Sequence, residues 1–336
     1  MNLIELARTL VNIESVTHNE EQIGVFLVDY LREVATRHSG HVERMDVEPG
    51  RFNLFACWGE PIVTLSTHMD TVPPFIPSRE DAEFIWGRGA CDAKGILASM
   101  MVAAERLLTE GTRNFGLLFL VGEERNSAGA IAAGRVLRGS QYLIGGEPTE
   151  NKLALGSKGA LRYEISARGR MAHSAYPELG SSAIEALLDV LEDIRRMPLP
   201  EDALLGRSTM NIGTISGGRA PNVIADDARA EIMIRLVGDA APVREAFERA
   251  VAGRAEVKEV LYTPTVRLNR LDGLPTTVVS YTTDIPILGA AWGKPFLLGP
   301  GSIHVAHTPE ERVPKQQLQE AVEIYSEMVR KLLATG

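Results

Sequence analysis

Apolar and polar residues are arranged in two alternating patterns along the first 150 positions. Apolar residues recur at helical spacing over 3–12 and 20–36. Further along, three β-rich runs alternate with two helical patterns, over 62–67, 94–109, 115–121, 128–138 and 142–146. Strands that alternate with helices are typical of crossover units, so we predict an α/β fold: a mostly parallel sheet with helices on both faces.

The pattern changes after about residue 157. Residues 160–167 alternate between apolar and polar side chains, as in a strand with one exposed face. Helices are predicted over 181–196 and 242–252, and the other predicted strands cover 209–215, 228–236 and 256–262. These two strand–helix–strand groups predict a small α+β domain with one open face.

Buried runs and a last helix, predicted over 316–333, return after about residue 275. We therefore predict a catalytic domain formed by 1–157 plus 268–336, with 158–267 inserted as a second domain. A chain of 336 residues is long enough for two domains.

The composition excludes several classes of function. Hydrophobic residues make up 45% and charged residues 24%, as in ordinary globular proteins, and a net charge of −9 argues against a nucleic-acid partner. Two cysteines, Cys57 and Cys91, cannot form a disulfide framework. The first residues do not resemble a signal peptide, and no run reaches the ~18 apolar residues that a membrane helix needs. We expect a cytoplasmic protein with no membrane partner.

Six acidic and histidine residues each follow an apolar run, although they are spread over 240 positions: His68, Asp92, Glu123, Glu124, Glu147 and His307. In an open α/β sheet, ligands bind beyond the carboxyl ends of the strands. Several strands that each deliver one nitrogen or oxygen donor to the same edge can build a metal site. The sequence therefore predicts a metal centre.

Two of these positions have a mechanical interpretation. Asp70 lies two residues after His68, so on a strand it points the same way and can orient the imidazole by a hydrogen bond. Asp92 approaches a helix through a glycine-rich segment, where an aspartate can instead be an N-cap. The neighbouring Cys91 could also ligate zinc, although a small buried role is more common.

Adjacent carboxylates at Glu123 and Glu124 repel each other when both are buried, and a cation removes that cost. One can then bind metal while the other acts as general base on a metal-activated water. With Glu123 reserved as the base, two histidines and three carboxylates remain. That set suits two zinc ions bridged by one carboxylate. From the residues alone, His304 rivals His307 as a ligand.

Five stretches carry a resemblance that covers nearly the whole chain: Ser66-Thr67-His68-Met69-Asp70-Thr71-Val72-Pro73, Gly87-Arg88-Gly89-Ala90-Cys91-Asp92-Ala93-Lys94-Gly95, Gly122-Glu123-Glu124, Gly146-Glu147-Pro148-Thr149 and Ala306-His307-Thr308-Pro309-Glu310-Glu311. In order and spacing, the chain resembles the dinuclear-zinc amidohydrolases that include acetylornithine deacetylase, succinyl-diaminopimelate desuccinylase, aminoacylase and glutamate carboxypeptidase. Each motif alone is modest, and together they are specific.

The resemblance implies a role for each metal-site residue. Asp92 would bridge the two metal ions, which would be zinc, with cobalt or manganese as alternatives. His68 and Glu147 would hold one ion, Glu124 and His307 would hold the other, and Glu123 would be the general base. His307 is preferred over His304 because the family's ligand is followed by a short acidic stretch. A cis peptide bond is expected between Asp92 and Ala93.

The inserted domain shares in the resemblance. The segment 169–177 is similar to a lid whose histidine, here His173, reaches the neighbouring subunit's site and stabilises the oxyanion, so a homodimer through 158–267 is expected. Asn222 and Arg235 match substrate-binding positions, and Arg235 would pair with a substrate carboxylate. Two departures stand out: Gly122 replaces a frequent aspartate, and no aspartate precedes Arg235 by two residues.

The implied activity is hydrolysis of the amide bond of an N-acylated amino acid, as in acetylornithine deacetylase, with a role in amino-acid biosynthesis. Two alternatives use the same chemistry: release of lysine or ornithine from a carrier protein's γ-glutamyl link, and dipeptidase or carboxypeptidase action. A catalytically inactive binding protein is the remote alternative, because all five ligands and the base are present. A dimer-forming structural module that needs no metal is a further one.

Overall fold

The computed structural model describes residues 1–335. Its helices are α1 Leu3–Asn12, α2 Glu21–His38, α3 Lys94–Thr109, α4 Ala128–Ala133, α5 Ala183–Arg195, α6 Ala241–Val251, α7 Ile285–Leu288 and α8 Lys315–Leu333. Its strands are β1 His41–Glu48, β2 Arg51–Trp58, β3 Val63–His68, β4 Arg79–Glu80, β5 Phe84–Trp86, β6 Phe115–Leu120, β7 Tyr142–Gly145, β8 Leu153–Ser157, β9 Gly159–Arg168, β10 Glu201–Asp202, β11 Gly206–Arg207, β12 Thr209–Gly217, β13 Asp227–Leu236, β14 Glu256–Thr263, β15 Val266–Arg267, β16 Thr276–Val279, β17 Lys294–Leu297 and β18 Arg312–Pro314.

The chain forms two compact units. Unit 1 comprises 1–155, 268–277 and 283–336, and unit 2 comprises 156–267 and 278–282. The sequence pattern assigned 278–282 to the catalytic domain instead. Main-chain pairing explains the difference, because the Lys158 N–H donates to the carbonyl oxygen of Val279 at 3.1 Å.

Unit 1 is built on a six-stranded sheet with the order β1-β2-β6-β3-β7-β17. Strands β6, β3, β7 and β17 run parallel to one another, and β2 lies antiparallel to β6. The predicted α/β fold with a mostly parallel sheet is confirmed. Since β3 lies between β6 and β7, the ends of these three strands meet at one place on the sheet edge.

Alternate residues of the sheet enter two different cores, because successive side chains of a strand point to opposite faces. Leu117 and Phe119 of β6 join a core with residues of α1, α2, α3 and α8. Leu118 and Leu120 join a smaller core with residues of α4 and α7. Helices therefore cover both faces, which explains why every residue of β6 is buried and none is charged or polar.

Unit 2 contains an antiparallel sheet with the order β12-β13-β9-β14. Its alternating apolar residues, such as Leu161 and Tyr163, form a core with α5 and α6. The polar residues between them, such as Arg162 and Glu164, are half-buried on the other face and pair with charges on neighbouring strands. This arrangement matches the predicted α+β domain with one open face.

Most predicted element boundaries lie within two residues of those in the structure. The exception is the helix predicted over 128–138, which ends at Ala133. Gly134 follows, where a Cβ atom would lie 2.7 Å from the carbonyl oxygen of Ile287. Among residues 1–335, no helix combines the length and the apolar character that crossing a membrane requires.

Candidate metal centre

The predicted donors of unit 1 converge because of the strand order. His68 is the last residue of β3, while Glu123 and Glu124 follow β6 and Glu147 follows β7. Gly122 makes the turn after β6 with a φ of +78°, a conformation that favours glycine. A Cβ atom at this position would lie 2.9 Å from an Arg51 side-chain nitrogen, so the Arg51 side chain would have to shift to admit any other residue.

The Asp92 carboxylate lies between two imidazoles. His68 Nε2 is 3.0 Å from Asp92 Oδ1, and His307 Nε2 is 3.3 Å from Asp92 Oδ2. His307 Nε2 is also 3.0 Å from a Glu124 oxygen. One carboxylate therefore presents a separate oxygen to each histidine, which is the arrangement expected of a bridging ligand.

Burial and charge perturb the pKa values of these three groups in opposite directions. Burial raises the pKa of Asp92, but its contacts with His307 and His68 more than offset this, so the net shift is downward. Contacts with Asp92 and Glu124 raise the pKa of His307 to about 10. Burial lowers the pKa of His68, yet Asp70 and Asp92 hold it well above its usual value. Carboxylates thus surround both imidazoles.

The pKa values of the three glutamates are all shifted upward. Burial raises the pKa of Glu123 well above its usual value, and the charge of Glu147 raises it further. Burial and then Asp92 do the same to Glu147. Burial also raises the pKa of Glu124, although His307 partly offsets the shift. Four acidic groups share this site with two histidines, so bound cations would relieve the excess negative charge.

The donor chemistry fits a metal ion. Ligand atoms of His68, Asp92 and Glu124 all lie within 4.8 Å of one another. Imidazole nitrogen and carboxylate oxygen are donors that zinc accepts, and His307 and Glu147 supply two more in the same cluster. The imidazole and carboxylate donors of this site are therefore suited to zinc ions.

Asp70 does more than orient His68. Its carboxylate oxygen lies 3.5 Å from His68 Nδ1, but the closer partner of that nitrogen is the main-chain oxygen of Asp70 at 3.1 Å. The Asp70 carboxylate also accepts the main-chain N–H groups of Glu123 at 3.1 Å and Glu124 at 3.3 Å, and the Thr17 hydroxyl at 2.7 Å. It therefore ties the end of β3 to the turn after β6.

The loop that carries Asp92 is held by a residue that the sequence reasoning did not assign. Glu311 is buried, and its Oε1 accepts the main-chain N–H groups of Gly89, Cys91 and Asp92 at 2.8, 3.3 and 3.2 Å. Its other oxygen pairs with buried Arg88. The acidic stretch after His307 marks Glu311 as part of the family motif. It does not indicate that Glu311 holds the loop of Asp92.

Further details of this loop follow the sequence expectations. The Asp92–Ala93 peptide bond is cis, as the resemblance implies. The buried Cys91 thiol donates to the main-chain oxygen of Ser302, and burial raises its pKa well above the usual value. Cys91 therefore packs as a small buried side chain whose thiol already has a main-chain partner.

The structure distinguishes between the two candidate histidines near the C-terminus. His307 contacts Asp92 and Glu124, whereas His304 lies near Glu150. His307 has a φ of +64°, which is uncommon for a residue other than glycine.

The three remaining predicted residues belong to unit 2. His173 is exposed, and its Nδ1 accepts the Ala175 N–H at 3.1 Å, so the ring proton lies on Nε2. Asn222 is exposed on the adjoining segment, where its main-chain carbonyl oxygen accepts the Ser174 N–H. Arg235 on β13 is half-buried, and burial alone lowers its pKa. Within residues 1–335, its guanidinium forms no ion pair.

Asp284 is a further buried acid of unit 1 that the sequence pattern did not suggest. It precedes the four-residue helix α7 and lines a cavity together with His68, Glu123 and Glu147. Burial raises its pKa to about 6, and the nearby Ser127 hydroxyl offsets part of the shift. Nothing in its local sequence distinguishes it from an ordinary N-cap.

Comparisons with known proteins identify the family of this chain. The model of peptidase family M20/M25/M40 matches residues 64–331. A peptidase M20 domain-containing protein of Schizosaccharomyces pombe is 40% identical over 98% of this chain and 84% of its own length. A probable carboxypeptidase of Aspergillus niger is 37% identical over 96% of this chain and 88% of its own length.

Solved structures show the same fold at lower identity. An aminopeptidase of Bacillus cereus superposes with a TM-score of 0.79 at 22% identity, covering 98% of both chains. A family M20 metallo-carboxypeptidase of Sulfolobus solfataricus superposes with a TM-score of 0.75 at 16% identity, covering 97% of this chain and 98% of its own. The chain therefore belongs to peptidase family M20/M25/M40 and is a metal-dependent hydrolase.

Proposed function

We propose that this chain hydrolyses the amide bond that joins an acyl group to an amino acid with a free carboxylate, with N-acylated amino acids as the leading substrates. The observation that carries the proposal is the position of Asp92, whose two oxygens face His68 and His307. When bound at these donors, two metal ions, zinc by the donor types, supply Lewis acidity that polarises the scissile carbonyl and lowers the pKa of a water molecule.

Glu123 is suited to move the proton. Its main-chain N–H is held by Asp70, while its carboxylate makes no hydrogen bond to any residue within 1–335, so it is free to accept a proton. In the proposed reaction, Glu123 takes a proton from the attacking water and gives it to the amine nitrogen as the C–N bond breaks.

His173 supplies the oxyanion donor in this proposal. Because its Nδ1 accepts the Ala175 N–H, its Nε2 carries a proton and can donate to a developing negative oxygen. We assign this role across a homodimer formed through 158–267, in which the partner subunit's His173 completes each site. The exposed ring is consistent with a partner that is not another part of the same unit.

Arg235 is the proposed partner of the substrate carboxylate. A half-buried guanidinium without an ion pair has already lost part of its hydration, so a carboxylate gains from pairing with it. Asn222 is the proposed second contact to the substrate. It precedes Val223, which forms an antiparallel β-bridge with His173, so Asn222 lies beside that histidine.

A second substrate form uses the same bond. The Aspergillus niger relative is named a probable carboxypeptidase, and a peptide C-terminus presents the same amide next to a free carboxylate. The carrier-linked lysine or ornithine of the sequence analysis is the third form, since a γ-glutamyl amide also releases an amino acid.

A substrate panel tests the proposal and separates these forms. We expect the zinc- or cobalt-loaded protein to release free amine from N-acetyl and N-succinyl amino acids more rapidly than from dipeptides, longer peptides or γ-glutamyl amino acids. Arg235→Lys should raise KM by roughly 10-fold or more on any good substrate, because one charged fork is lost. Amidated substrates should be poor for the wild type and insensitive to this change. Equal rates on free and amidated substrates would contradict the carboxylate requirement.

A mixing experiment tests the role of His173 in trans. His173→Ala should lower kcat by about 10²–10³-fold, as the loss of an oxyanion donor does. When Glu123→Ala and His173→Ala chains are unfolded, mixed in equal amounts and refolded, half of the dimers are mixed. Each mixed dimer then holds one intact site, so activity should recover to about a quarter of the wild-type value. No recovery in a sample that contains mixed dimers would place His173 in its own chain's site or outside the reaction.

A further inference from the structure

A small cavity lies beneath the metal centre on the α7 side of unit 1. Its volume is about 20 Å³, which is room for one water molecule. Polar residues that line it include Ser66, Glu123 and Asp284, together with the proposed ligands His68 and Glu147.

Two of the lining side chains are buried without the hydrogen bonds that they require. Ser66 Oγ and both carboxylate oxygens of Asp284 have no partner at hydrogen-bond geometry, and the two residues are 3% and 6% exposed. A buried polar group without a partner destabilises the folded state, so such groups in native proteins nearly always have a hydrogen-bond partner, which can be an ordered water.

The position of Asp284 makes the missing partner more specific. An aspartate before a helix commonly caps it with its side chain, but here the carboxylate caps nothing in α7. The Thr283 hydroxyl instead accepts the Ile285 N–H. Apart from the Ser127 hydroxyl, which lies near Asp284 but not at hydrogen-bond geometry, the carboxylate is therefore left for the cavity.

The Glu123 carboxylate also lacks a group that fixes its orientation, because no residue within 1–335 forms a hydrogen bond with it. A single water molecule can bond to all three side chains: it accepts from the Ser66 hydroxyl and donates one hydrogen to one oxygen of Asp284 and the other to Glu123. The second Asp284 oxygen is left to the nearby Ser127 hydroxyl. Three hydrogen bonds are typical of a buried water.

We propose that this cavity binds one structural water molecule, and that Asp284 acts through it as a positioning residue for Glu123. The role in catalysis rests on the proposed function above, whereas the water site does not. Asp284 and Ser66 hold the water, and the water holds the Glu123 carboxylate in one orientation.

Three variants separate this role from a purely structural one. Asp284→Leu fills the site with an apolar side chain and should lower kcat by about 10–100-fold, with KM and metal content unchanged. Its melting temperature should be equal to or above that of the wild type, because the cost of burying the Asp284 carboxylate is removed. Asp284→Asn can still hold the water and should retain kcat within about threefold. Thr283→Val, from the same cavity wall, should keep the wild-type kcat and KM, and its melting temperature should fall because the hydroxyl that accepts the Ile285 N–H is lost.

A high-resolution crystal structure tests for the water molecule without any measurement of activity. We expect density in the wild type at about 2.6–3.1 Å from Asp284 and Ser66 oxygens, and in Asp284→Leu a loss of that density with Glu123 in more than one conformer. An empty cavity, a metal-like coordination sphere in it, or a single ordered Glu123 in the leucine variant would overturn the proposal. So would a parallel loss of kcat, metal and stability. Absence of any turnover in the wild type would instead sink the proposed function, with the water still decided by the density.

Discussion

Replacing Glu123 by alanine should leave the metal content and the fold intact and lower kcat by about 10²–10⁴-fold, the usual contribution of a general acid–base group. Glu123 makes none of the short contacts with Asp92 that His68 and His307 make, so its loss does not remove a donor from that cluster. Three of the four neighbouring acids, Asp92, Glu124 and Glu147, remain, so the cluster keeps most of the negative charge that attracts cations. Metal binding should therefore survive.

The measurement is kcat on the best substrate of the panel, with zinc content by elemental analysis of the same sample. Glu123→Gln is the isosteric companion and should lose activity to a similar extent, since an amide cannot take the proton. Glu150→Gln is the control, because Glu150 is an exposed acid three residues after Glu147 that pairs with Lys152. Turnover near that of the wild type in either Glu123 variant would remove this residue from the role of base.

The arrangement of the donors could be predicted where it depends on strand order. His68, Glu123 and Glu147 each follow a buried apolar run, and parallel runs bring their carboxyl ends to one edge. Burial on both faces keeps charged residues out of these runs before His68, so they are visible in a sequence. This part of the site follows from periodicity alone.

The rest depends on contacts between distant loops, which periodicity does not encode. Asp92 follows no strand of the sheet, and its loop is fixed by hydrogen bonds to Glu311, more than 200 positions away. The choice of His307 over His304 needed the family resemblance, because both follow the same glycine-rich turn. Asp284 gives no signal at all, because its significance lies in the partner that it lacks.

Asp92→Asn should abolish activity and reduce the metal content from about two ions per chain to one or none. Each oxygen of Asp92 faces a different histidine, so the carboxylate is the one group that touches both halves of the donor cluster. An amide offers a single weak oxygen donor, and its NH₂ group cannot bind a cation. The excess negative charge of the neighbouring glutamates remains, but the bridge between the two positions is lost.

Metal occupancy in this variant is best measured by competition with a chelator of known affinity, beside activity and melting temperature. Without metal, the Asp92→Asn variant also loses the contacts that the Asp92 carboxylate makes with the two histidines. Its stability must therefore be compared with and without metal. In the wild type, metal should raise the melting temperature strongly, since ligands that bind only the folded state stabilise it. In Asp92→Asn that increase should shrink or vanish, whereas in Glu123→Ala it should persist. Two tightly bound ions in Asp92→Asn would show that His68 and His307 serve separate metal positions that need no shared carboxylate.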